Sequence, residues 1–84
     1  MPLVPVLPPS DVIKIFQLLG WQVVRQKGSH IIMTRPGHMA TLSIPNHAEV
    51  ARGTLRSLIA KAGLTVEQFL EPSPSKDLAY LPFN

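Results

Sequence analysis

Three histidines, His30, His38 and His47, carry the side chains of this 84-residue sequence best suited to moving protons, because imidazole ordinarily titrates near neutrality. His30 is the strongest of the three. It follows Gly28-Ser29, a pair suited to a tight turn between strands, so its side chain begins a strand at a rim and need not be buried. Arg25 and Lys27 lie close by in sequence. A proton shuttle beside cations is what cleavage of an RNA phosphodiester needs, since negative charge builds on the phosphoryl oxygens as the neighbouring 2′-hydroxyl attacks. Such a site needs RNA and no metal. The same residue types also fit a plain polar histidine at a strand start, and spacing alone leaves both readings open.

His38 falls in a turn beside Gly37 and His47 follows Pro45-Asn46, so both are expected in loops, facing solvent. The spacings of 8 and 9 residues between the histidines match no standard zinc-ligand pattern, and Glu49 is the one acid near them, so no metal site is expected. The chain has no glycine-rich phosphate loop, no cysteine nucleophile and no paired carboxylates beside a basic cleft, which argues against the enzyme classes built on them and against a small-molecule cofactor. Arg52 and Arg56 stand four apart, so on a helix they share a face and could grip phosphates; a solvated arginine pair fits equally well.

The charge distribution supports a polyanion partner. Between Trp21 and Gly63, the six cations Arg25, Lys27, Arg35, Arg52, Arg56 and Lys61 face the single acid Glu49, a net of +5, while the two ends together carry −2. A basic centre between slightly acidic ends reads as a patch rather than as general solubility charge. With no cysteine, apolar burial alone must hold the fold, which suits a cytoplasmic protein. The apolar letters of Leu3 to Leu7 are broken by prolines and preceded by no basic run, so neither a signal peptide nor a membrane span is expected.

The elements that must position these residues follow from periodicity. Ser10 can cap a first helix, about Asp11 to Leu19, whose stripe is Val12, Ile15, Phe16 and Leu19, with Gly20 free for a left-handed ending. Three β-rich runs follow, Trp21 to Gln26, Ile31 to Thr34 and Thr41 to Ile44, separated by Lys27-Gly28-Ser29 and Pro36-Gly37-His38, and together they predict an antiparallel meander. The middle run is apolar on both faces at Ile31, Ile32 and Met33, which suggests a partner on its second side. Leu55, Leu58, Ile59 and Ala62 predict a second helix ending at Gly63, with a start between Ala51 and Thr54. Thr65 to Gln68 is a capping box opening a last short helix that Pro72 and Pro74 stop. The expected fold is an α+β, α-β-β-β-α sandwich in one domain over residues 1–84, with its core at about 10–71, a proline-rich start at 1–9 and a proline-rich tail at 72–84. The tail's Leu78, Tyr80, Leu81 and Phe83 are apolar enough to dock, most simply on its own domain.

Five ordered motifs carry a family resemblance: Gly28-Ser29-His30, Pro36-Gly37, Ile44-Pro45-Asn46-His47, Arg52-Gly53-Thr54-Leu55-Arg56-Ser57-Leu58 and Ala62-Gly63-Leu64-Thr65. In that order and spacing the chain, from about Val12 to Leu70, resembles the HicA toxins, the messenger-RNA-cleaving halves of HicA-HicB toxin-antitoxin pairs. The resemblance implies a double-stranded-RNA-binding-domain-like fold, catalysis by the histidine of the Gly-Ser-His motif, here His30, and silencing by a HicB-like antitoxin. Where the family commonly has a second histidine directly after the first, this chain has Ile31. The combined expectation is a metal-independent endoribonuclease (mRNA interferase) with His30 as general acid or base. Arg25, Lys27, Ser29, Arg35, His47, Arg52, Arg56 and Lys61 are the expected RNA contacts. The alternative is a non-catalytic RNA-binding module of the same fold, which would read duplex RNA by shape.

Overall fold

A computed structural model describes residues 4–72. The element order is α1 (Pro9–Leu18), β1 (Gln22–Lys27), β2 (His30–Thr34), β3 (Leu42–Pro45), α2 (Arg52–Lys61) and α3 (Val66–Leu70). The chain is therefore an α+β fold of α-β-β-β-α order with a short C-terminal helix. The strands form one antiparallel sheet in the order β1-β2-β3, with β2 central.

Helix α1 begins two residues earlier than a Ser10 cap would allow. Pro8 is the cap residue and makes no side-chain bond, Pro9 opens the helix, and the Pro8 carbonyl accepts from the Asp11 and Val12 amides at 3.0 and 3.2 Å. Proline wins here because its preset φ suits the first helical position, where its missing N–H costs nothing. Both long helices end alike, on glycines with positive φ, Gly20 at 99° and Gly63 at 76°. The Trp21 and Leu64 amides reach back to the Phe16 and Ile59 carbonyls at 2.9 and 3.1 Å, closing the orphan acceptors of each last turn. The capping box of α3 is complete, with Thr65 and Gln68 bonded to each other's backbone.

The helices cover one face of the sheet. Met33 and Ile31 of β2 pair with Leu42 and Ile44 of β3, and these four join Val12, Phe16, Trp21, Leu55, Ile59 and Phe69 in a single core. Phe16 is its hinge point, 5.0 Å from the Phe69 ring and edge-on to Trp21 at 6.2 Å. The proline-rich start also contributes: Val4 is 1% exposed within this core, and Leu7 bridges to Val50, whose amide donates to the Leu7 carbonyl at 2.8 Å. The docking expected of Leu78, Tyr80, Leu81 and Phe83 lies outside the described residues.

Candidate active site

Among the described residues no helix packs on the second face of the sheet, and the register decides which side chains that face carries. Gly28, with φ at 60°, and Ser29 make a two-residue turn in which only the first central residue has positive φ, the pattern of a II′ hairpin. Lys27 and His30 flank that turn as direct cross-strand partners, which puts their Cβ atoms about 5 Å apart. Arg25 lies opposite Ile32, and Ile32 opposite Ser43. Since alternate strand residues share a face, Arg25, Lys27, His30, Ile32, Ser43 and Pro45 form one patch facing away from the helices.

A bulge makes this arrangement possible. Between Val23 and Arg25 the pairing slips by one residue, so Val23 stays opposite the core residue Met33 while Arg25 lies opposite Ile32. The extra residue, Val24, is 51% exposed on an edge strand. Without the slip, Arg25 and Lys27 would share the face of Val23, on the side of the helices. Ile32 is 9% exposed yet stands outside the core cluster.

The remaining candidates divide by position. Ser29 sits in the turn, and its carbonyl accepts the Asn46 amide at 2.7 Å, which holds the Pro45-Asn46-His47 segment against the turn. His30 and His47 are both exposed at this end of the sheet. Helix α2 runs back from this end, so Arg52 stands near it and Lys61, in the last turn, stands far from it. The Arg52 Nε also donates to the Val4 carbonyl at 3.0 Å and thereby holds down the N-terminal segment. Arg56, one turn on, borders a depression of about 320 Å³ between α2 and α3. Arg35 lies past the opposite end of β2, its guanidinium against Gly20 at the end of α1: a Cβ on Gly20 would come within 3.1 Å of Nε. A cation there faces the negative end of the helix dipole. The fold thus gathers Arg25, Lys27, Ser29, His30 and His47 at one end and leaves Arg35 and Lys61 at the other.

His38 is not the solvent-facing loop residue its turn suggested. It is half-buried, its ring centroid is 5.1 Å from that of Trp21, and its Nδ1 accepts the Ala40 amide at 3.2 Å. Its Nε2 lies 3.3 Å from where a Gly63 Cβ would stand. Tertiary packing recruits it because the exposed face of an indole offers an aromatic ring good contact. Ser43 belongs to the open patch although no motif marked it; alternation with the core residues Leu42 and Ile44 was its only sequence signal. Among the described residues no three His, Asp or Glu side chains cluster to hold a metal, and no helix is long and apolar enough to cross a membrane.

The sequence model of the family described as HicA toxin of bacterial toxin-antitoxin matches residues 9–64, two-thirds of the chain. The chain belongs to the HicA toxin family. That matched span runs from the first residue of α1 to the glycine-terminated end of α2 and contains every residue of the open patch. Membership makes the chain the toxin member of a toxin-antitoxin system, whose partner is a cognate antitoxin. A search of curated proteins returns no match to the sequence.

Proposed function

We propose that this HicA-family chain is an endoribonuclease that cleaves messenger RNA without a metal, with His30 as a general acid or base. The observation that carries the reading is the pairing of an exposed His30 with Lys27 across the turn, with Arg25 two pairs further along the same face, which no described helix covers. Imidazole can exchange a proton with the reacting oxygens, and the two cations counter the charge that builds on the phosphoryl group. Ser29, His47, Arg52 and Arg56 extend the contact along the RNA backbone from the same end of the fold, and Arg35 and Lys61 widen the positive field beyond it. The proposed setting is the cytoplasm, where a HicB-like antitoxin would silence the toxin by covering the open face.

The test is cleavage of a long unstructured RNA in excess EDTA by the wild type and by His30→Ala, with binding measured on the same RNA. Loss of about 10²- to 10⁴-fold in cleavage with binding retained supports the reading. Equal cleavage by both proteins removes His30 from the chemistry, and binding without cleavage by either makes the chain an RNA-binding module.

A further inference from the structure

Cleavage by a 2′-hydroxyl needs two proton transfers, and the residue that follows His30 cannot supply the second. Ile31 points into the core, 8% exposed and paired with Ile44. The geometry points to His47 as the second proton-transfer group, working opposite His30; this rests on the nuclease reading above and deepens it.

The argument is one of register. His30 and Pro45 are direct partners across β2 and β3. The ladder does not stop there, because the Asn46 amide donates to the Ser29 carbonyl at 2.7 Å, one rung further out. Pro45 fits this rung order: its missing N–H falls at a non-hydrogen-bonded pair of an edge strand, where nothing is lost. His47 follows that bonded residue directly, exposed in the bend that leaves β3 beside the turn that carries His30 and Lys27. Side chains set diagonally across a ladder stand about 7–8 Å apart, the scale of the gap between the turn and the bend that Ser29 and Asn46 hold together. That is room for one phosphate between two imidazoles, each about 3 Å from its own oxygen. Both rings are exposed, and neither has a hydrogen-bond or ionic partner among the described residues. By contrast His38, the third imidazole, is committed to Trp21 and the Ala40 amide.

The reaction balances with these two groups. One imidazole takes the 2′-hydroxyl proton while the 2′-oxygen bonds to phosphorus. The bond from phosphorus to the 5′-oxygen breaks, and the leaving oxygen receives a proton from the second, protonated imidazole. The products are a 2′,3′-cyclic phosphate and a 5′-hydroxyl, and proton exchange with water restores both rings.

A leaving-group substitution tests this directly. An oligonucleotide spanning a mapped cleavage site is made with its natural 5′-oxygen and again with sulfur in that bridging position; a thiolate leaves without needing a proton. On the oxygen substrate, His30→Ala and His47→Ala should each lose about 10²-fold or more in kcat with little change in KM. His47→Gln, which keeps size and hydrogen bonding but cannot give or take a proton near neutrality, should be as slow as His47→Ala. On the sulfur substrate one of the two alanine variants should return to within about tenfold of wild type and the other should not. Both side chains are exposed, so unfolding temperatures should not move. The pairing is overturned if His47→Ala cleaves the oxygen substrate as wild type does, if its loss lies in KM alone, if His47→Gln is active, or if sulfur rescues neither variant. A wild type that cleaves neither substrate overturns the nuclease reading and the pairing with it, whereas a dead His30→Ala beside a fully active His47→Ala overturns the pairing alone.

Discussion

His30 opens β2 and His38 lies past its other end, with about 13 Å of strand from the first end to the second, and the two share a residue type, a neighbouring glycine turn and a nearby cation. Around His38 those features are consumed by packing. Its ring lies on Trp21, its Nδ1 is bonded, and with Arg35 it brings basic side chains to the glycine-ended termini of both long helices. Around His30 they are left free: a Cβ on Gly28 would meet nothing within 4 Å, Lys27 stands across the strand, and no described helix covers the face. Chemical capability is thus the same at both ends, and availability separates them. A side chain whose hydrogen-bonding atoms are already used by the fold cannot also serve a substrate without a cost in stability.

Four substitutions sharpen or break this contrast. The largest effect is expected for His30→Ala, with about 10²- to 10⁴-fold lost in RNA cleavage and no more than about 0.5 kcal/mol in unfolding free energy, read by single-turnover kinetics and denaturant titration. Lys27→Ala should follow at about 10²-fold in cleavage, since it removes one preorganised charge beside the reacting phosphate; an unchanged rate would detach the cation from the chemistry. His38→Ala should invert the pattern, leaving cleavage near wild type while lowering stability by about 1–2 kcal/mol through the lost Trp21 contact and the stranded Ala40 amide. A dead but fully stable His38→Ala protein would break the comparison outright. The smallest effect is expected for Arg56→Ala, whose affinity for RNA should fall modestly while the slope of log affinity against log salt flattens by about one or less.

Much of this was legible along the chain because local rules and tertiary demand agree. The glycines at 20 and 63 lie where helical periodicity stops, and the Thr65 capping box is complete in four consecutive residues. Gly28-Ser29 marked the hairpin because only a glycine readily takes the φ that its first position needs. At Ser10 local preference misled, since a serine after two prolines makes a good cap but Pro9 makes a better first residue. His38 was misread for another reason: burial is decided by what lies across the fold, and its chain neighbours do not carry that information.

The sequence by itself determined the elements, their order and the family, because periodicity, caps and motif spacing are properties of neighbouring residues. Which side of the sheet the chemistry occupies was decided only in three dimensions. Strict alternation would place Arg25 and Lys27 with Val23, on the face that packs against the helices, and would separate both cations from His30. The bulge at Val24 reverses that phase. Val23 pairs with Met33 while Lys27 closes a two-residue turn opposite His30, and five residues cannot pair with four without one left over. That conflict exists only once both strands are paired.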